Sequence, residues 1–197
     1  MEYAENLIKE EWEYTKDNFI KLVETYIKRK GISDLMYYLE RSDFYTAPCS
    51  TKYHLSVKGG LCKHSINVMN ALFLNIAMLN LTTYTDETIA IVSLFHDLCK
   101  IGCYKLEYKW SKDDENKWIQ VPTYIYDEEF PYGHGEKSAA IVSRYLDLTP
   151  YELQAINAHM GFSDVRGVQL IGNIFRKNKL AVALHFADMT ATYFREE

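Results

Sequence analysis

Hydrophobic and polar positions follow two different periods along this chain, and the predicted elements change where the period changes. In residues 2–30, Phe19, Leu22, Val23, Tyr26 and Ile27 recur at helical spacing among lysines and glutamates, which predicts one long amphipathic helix. Gly31 is placed to end it, and Ser33 to cap a short helix over Asp34–Arg41. Residues 45–54 have no period and read as a loop, and Gly59-Gly60 marks a second break. From Leu61 to about Leu79 the helical period returns through Val68, Leu72, Phe73 and Ile76, with His64 on their inward face. Thr85 caps the next predicted helix, Asp86 to about Lys100, on which Ile89, Val92, Ser93 and His96 form one stripe.

The period then drops to two. Tyr104, Leu106, Tyr108 and Trp110 alternate with Lys105, Glu107 and Lys109, which is a strand signal. Ser111 to Lys117 is a polar turn, and Trp118 to Tyr126 a second strand in which Pro122 points to an exposed edge. Residues 103–127 therefore predict a β-hairpin inserted into a helical protein. An isolated hairpin is only marginally stable, so it is expected to lie on the helices. Helix resumes at about Glu136–Leu146. Thr149-Pro150-Tyr151-Glu152 then combines a capping threonine, a proline at the first helical position and a glutamate placed for a capping box. A short helix over about Val168–Phe175 and a last one after Asn178 complete an all-α chain with a small hairpin. The whole reads as one domain: an N-terminal helical extension over 1–44 and a core over 45–195.

Composition narrows the class. Of 197 residues, 48% are hydrophobic and 25% charged, a globular balance. The net charge of −5 disfavours broad binding to duplex nucleic acid or an anionic membrane. The longest apolar run, Ala71 to Leu81, is interrupted by Asn75 and Asn80, short of a membrane span. The opening residues are acidic, unlike a signal peptide. Cys49, Cys62, Cys99 and Cys103 show no CxxC spacing and read as reduced core thiols of a cytoplasmic protein.

The candidate chemistry lies in the inward polar groups. His96-Asp97 closes an apolar helix, His64 opens another, and His159 ends a third. His134 sits in the turn Gly133-His134-Gly135-Glu136, and Asp188 faces inward on the last helix. Burying these groups singly would cost several kcal/mol in total, so a shared metal is the economical explanation.

The ordered set His64 … His96-Asp97 … His134 … His159 … Asp188 resembles the HD superfamily of metal-dependent phosphohydrolases. Three local contexts carry the resemblance: Gly59-Gly60-Leu61-Cys62-Lys63-His64, His96-Asp97-Leu98-Cys99-Lys100, and Gly133-His134-Gly135-Glu136. The resemblance implies an HD-domain helical bundle and two metal sites. His64, His96, Asp97 and Asp188 would hold the first ion, and Asp97 would bridge to a second held by His134 and His159. Iron, manganese, nickel, cobalt and zinc all suit such ligands. The implied activity is phosphohydrolase or phosphodiesterase cleavage of a nucleotide or short oligonucleotide by a metal-bridging hydroxide, with Asp97 and Lys100 as catalytic groups. The hairpin is expected to rim the site, with Tyr104 and Tyr124 at its mouth.

Lys52, His54, Lys100 and Arg166 are the substrate-binding candidates. Three of them have a plainer reading: a loop residue for His54, a charge at a helix C-terminus for Lys100, an exposed arginine for Arg166. Glu136 reads either as a proton acceptor that orients His134 or as a first-turn helix acid, and His185 as a supporting or core residue. Two rival functions use the same residues: a mixed-valent di-iron oxygenase of the HD type, and a non-catalytic nucleotide-binding regulator. The expected partner is a small nucleotide or oligonucleotide, with no membrane and no long duplex; a homo-oligomer is compatible with the sequence.

Overall fold

The protein is described from a computed structural model, which covers residues 15–163 and 167–196. Its first helix, α1, spans 15–26; the expected N-terminal part of the 2–30 helix lies outside the described residues. The helix stops short of residue 30 because the next backbone groups have other partners. The Lys28 amide donates to Glu87 Oε1 at 2.7 Å, and Arg29 is drawn into an ion pair with Glu152. Helix α2 is Ile32–Glu40, two residues earlier than expected: Gly31, at φ 94°, occupies the N-cap in place of Ser33.

Helices α3 (Gly60–Met78) and α4 (Asp86–Leu94) follow, α4 capped by Thr85 accepting from the Thr88 amide. Here the structure corrects the expected helix to Lys100. The helix ends at Leu94, and a separate 3-10 turn covers Leu98–Lys100. The cause is local: the Ser93 carbonyl accepts the His96 imidazole at 2.7 Å in place of an amide one turn on. The break matters for the site. Neighbouring residues in a helix point about 100° apart, whereas outside it His96 and Asp97 can turn towards one centre.

Strands β1 (Tyr104–Lys112) and β2 (Trp118–Tyr126) pair antiparallel, from Tyr104↔Tyr126 at the root to Lys112↔Trp118 at the tip. Asp113 Oδ1 ties the turn by accepting from the amides of Glu115 and Lys117 at 3.0 and 2.9 Å. The expectation that the hairpin lies on the helices is not met. After Tyr104 every residue of β1 is exposed, so the ribbon projects and only its root is held. The Tyr104 hydroxyl supplies part of that hold by donating to the Cys49 carbonyl at 3.0 Å.

Helices α5 (His134–Ser143), α6 (Pro150–Ala158), α7 (Val168–Lys177) and α8 (Lys179–Phe194) complete the chain. The expected capping box is present: Thr149 accepts from the Glu152 amide, and Glu152 accepts from the Thr149 amide. Helix α3 packs against α4 and α8, and α6 against α5 and α8. One apolar cluster joins them: Phe19, Val23, Leu35 and Leu39 from α1 and α2 share it with Leu72, Ile91, Ile156 and Leu184. The described residues are mostly helical with one two-stranded sheet, and none of their helices is long and apolar enough to cross a membrane.

Candidate metal centre

Four helices and the break after α4 deliver polar groups to one region of the interior. His64 comes from the first turns of α3, His134 opens α5, His159 caps the C-terminus of α6, and Asp188 faces in from α8. His96 and Asp97 come from the break after α4. Gly135 permits the approach that brings His134 to His159: a side chain there would run into the backbone of Asn157 on α6.

Asp97 is the hub, only 2% exposed. Its Oδ1 lies 2.8 Å from His134 Nε2 and 3.3 Å from His159 Nε2. Its Oδ2 lies 2.7 Å from Lys100 Nζ, 3.5 Å from His96 Nε2 and 3.6 Å from His64 Nε2. Asp188 Oδ1 is 3.2 Å from His64 Nε2. The imidazoles form a continuous series, with ring centroids 5.2 Å apart for His64–His96, 4.8 Å for His96–His159 and 5.3 Å for His134–His159. Four overlapping groups of possible ligands result among the described residues, two of them with a cysteine: Cys49, His54 and His64, and Asp97, Cys99 and His134. His64, His96 and Asp188 offer atoms within 4.8 Å of one another, and so do His96, Asp97 and His159.

The hydrogen bonding of these rings fits a metal. His96 Nδ1 donates to the Ser93 carbonyl and His159 Nδ1 to the Ile156 carbonyl, each at 2.7 Å and each three residues back. His64 Nδ1 donates to Glu196, at 2.9 Å to Oε2. Each bond leaves the lone pair on Nε2, and those three buried Nε2 atoms have no hydrogen-bond partner among the described residues. A carbonyl or carboxylate holding one ring nitrogen so that the other faces the centre is the usual support of a metal-ligating histidine. The cluster can therefore hold a metal ion.

The electrostatics point the same way. Burial pushes the Asp97 carboxyl up, but Lys100, His96, the hydrogen bond from His134 and the nearby His159 imidazole outweigh it and hold Asp97 well below the usual carboxylate range. Asp188 is likewise burdened by burial and is held down mainly by His64. Burial lowers His96 to about 4, so it presents a neutral imidazole. Burial opposes charge on His64 too, yet Cys49, Asp188 and Glu196 together raise its pKa well above the ordinary value. The anionic groups that favour a proton on His64 also favour a cation at its Nε2.

The other sequence candidates separate. Lys100 reaches Asp97 and also Cys49 Sγ, at 3.4 Å. His54 lines the pocket, but its Nε2 is 3.2 Å from Cys49 Sγ. Lys52 is exposed and does not line the pocket. Arg166 lies outside the described residues. The Glu136 carboxylate lies over Gly133 at the start of α5, as a first-turn acid does. His185 Nδ1 donates to the His159 carbonyl at 2.7 Å, so it braces the turn that carries His159.

Three participants escaped the sequence. Cys49, which reads as a core thiol, borders the site; burial raises its pKa, but His64 and Lys100 outweigh burial and lower it to about 6. Glu196 follows α8, is 6% exposed, and accepts from both His64 Nδ1 and Asn67 Nδ2, the latter at 2.9 Å. Asn67 lies three residues after His64 on α3, a helical spacing that puts both on one side; Glu196 carries no comparable signal. Replacing Glu196 with alanine is expected to weaken divalent-metal binding about 10–100-fold, read by competition with a chelator. Glu196→Gln, which keeps an acceptor for His64 Nδ1, should recover most of the affinity. Equal affinity in the alanine variant would remove Glu196 from the centre.

The centre opens into a pocket of about 430 Å³, within the range of roughly 300–1,000 Å³ for small-molecule sites. Asp97, Lys100, His134 and Asp188 form its floor, and Tyr53, Tyr104, Tyr126 and Tyr193 stand around its mouth. No protein-family model matches the chain, nor does any curated protein or solved structure.

Proposed function

We propose that this protein is an HD-type metal-dependent phosphohydrolase that cleaves a phosphoester of a nucleotide or short oligonucleotide. The observation that carries the reading is the set of three buried Nε2 atoms, on His64, His96 and His159, with no hydrogen-bond partner among the described residues and gathered about Asp97. His64, His96 and Asp188 would hold one divalent transition-metal ion, His134 and His159 a second, and Asp97 both. When bound, such ions lower the pKa of a coordinated water and neutralise phosphate oxygens, so no protein nucleophile is needed.

The chain's own residues supply the rest. Ser93, Ile156 and Glu196 fix the ring orientations through Nδ1. Lys100 keeps its ammonium 2.7 Å from Asp97 at the pocket floor, where it can meet an anionic oxygen of a bound phosphate. Burial disfavours its charge, but Asp97 and Cys49 outweigh that and raise its pKa well above the ordinary lysine value, so it remains a cation at neutral pH. Met160 and Met189 add apolar surface to the lining of the same pocket.

Metal analysis of the purified protein, followed by assay of a broad phosphoester panel with added manganese, tests the reading. Lys100→Ala is expected to retain metal and to lose about 10²–10³ in rate, the scale for one preorganised donor to a developing charge. Two irons with a mixed-valent EPR signal and no phosphoester turnover would replace the proposal with the oxygenase. Tight nucleotide binding without turnover under every metal would replace it with the regulator.

A further inference from the structure

The projecting hairpin is two-sided in composition. On one face each pair in the register carries an aromatic ring: Tyr104 with Tyr126, then Tyr124, Tyr108, Trp110 and Trp118 in turn from root to tip. The opposite face pairs Lys105, Glu107, Lys109 and Ser111 with aliphatic residues and threonine, and has no ring. Exposed surface normally scatters its large apolar side chains. Here Tyr108, Trp110 and Trp118 are 61%, 64% and 64% exposed and share one face.

That face is continuous with the metal pocket. Its innermost pair, Tyr104 and Tyr126, packs edge to face at 5.7 Å and stands at the pocket mouth. Further out, Tyr108 and Tyr124 form one wall of a groove of about 750 Å³, whose other wall includes Lys58 and Lys63. Thr51 borders both the groove and the pocket. At the tip, Lys112 lies over the Trp118 ring, 5.4 Å from its centre. Same-face side chains on a strand recur every ~6.8 Å, so the rings form a regular series about five steps long.

We propose that this face is a stacking track for single-stranded nucleic acid, which it feeds end-first into the metal pocket. The inference rests on the phosphohydrolase reading for the chemistry at its inner end and names that site's substrate: a single-stranded oligonucleotide. Unpaired bases stack on aromatic rings whatever their sequence, and lysines on the facing wall meet the backbone. A duplex hides the faces of its bases and gains nothing from the rings. The acidic net charge does not oppose a narrow track, since its lysines are local.

The test uses the full chain, freed of metal with EDTA so that nothing is cleaved. A fluorescein-labelled oligothymidylate twelve-mer is titrated by anisotropy, with shorter oligomers and thymidine monophosphate as competitors. Tryptophan emission is followed in parallel, because Trp110 and Trp118 are two of the chain's three tryptophans. Affinity is expected to rise with length over the first several nucleotides, with quenching of the emission. Trp110→Ala and Trp118→Ala should each weaken binding of the twelve-mer about tenfold or more, while Trp110→Phe keeps most of it. Oligomers that bind no tighter than the mononucleotide, or alanine variants that bind like the wild type, would overturn the track. So would a loss of self-association on removing the rings with no change in oligonucleotide binding, which would make the face a contact between copies of the chain. Length-dependent binding without phosphoester turnover under any metal would sink the hydrolase reading and leave the track standing. Turnover of mononucleotides without length-dependent binding would do the reverse.

Discussion

Replacing Asp97 with alanine is expected to strip the protein of bound metal and of phosphoester turnover together. Asp97 meets four imidazoles and the Lys100 ammonium, at 2.7–3.6 Å. Its removal takes a carboxylate from both ligand sets at once. The loss should therefore exceed the about 10–100-fold that a group one step removed from a metal costs. Alanine also leaves Lys100 without its carboxylate partner, so Asp97→Asn is the companion variant: it keeps the volume and an acceptor but removes the charge. Both should lose metal, measured by elemental analysis, with the helical circular dichroism intact. Unaltered activity in either variant would mean that the site is misassigned.

The second large effect lies away from the centre. Arg29→Ala is expected to destabilise the fold by about 3 kcal/mol, the lower end of the range for breaking a buried ion pair because Arg29 is 18% exposed. That corresponds to a Tm lower by about 6–12 °C. Glu152, fully buried, accepts from Arg29 Nη1 at 2.6 Å and Nη2 at 3.0 Å, and from the Thr88 hydroxyl at 2.8 Å, while also closing the capping box. Without Arg29 its charge is stranded. Burial alone would raise the Glu152 pKa; the bonds from Arg29, the Thr149 amide and Thr88 prevail and lower it. A carboxylate held low contributes stability that is fully present above its ordinary value of about 4.5 and is lost as pH falls through the folded value. Wild-type stability should therefore decline below about pH 4.5, and the Arg29→Ala variant should show a smaller decline. Equal acid sensitivity in the two proteins would show that the pair does not contribute this term.

These two examples also mark what the chain discloses in one dimension. Local chemistry was legible: Thr85 and Thr149 cap the helices they were expected to cap, and the pattern marked the second strand of the hairpin at both ends and the first up to Trp110, two residues short of its end, because Ser111 and Lys112 are polar. The inward histidines were legible as well, since helical spacing put them with apolar neighbours. What stayed hidden depends on contacts distant in sequence or on a side chain capturing backbone. Periodicity carried the helix after Thr85 on to Lys100, because nothing in the pattern reveals that His96 takes the Ser93 carbonyl. Glu196 meets His64 across 132 positions, with no spacing to announce it. Cys49 looked like one more core thiol until the loop brought it beside Lys100 and His54. The alternation of Tyr104, Tyr108 and Trp110 marked only a strand, and the register of the hairpin, with its exposure, gathers these rings with Tyr124, Tyr126 and Trp118 on one face.

The most direct test of the central claim is diffraction from manganese-loaded crystals, with the anomalous signal used to locate the metal. The account predicts two peaks in the interior, one among His64, His96 and Asp188 and one beside His134 and His159, with Asp97 touching both. A single peak would reduce the centre to one ion. No peak there after loading, or a peak bound elsewhere with turnover intact, would contradict the account.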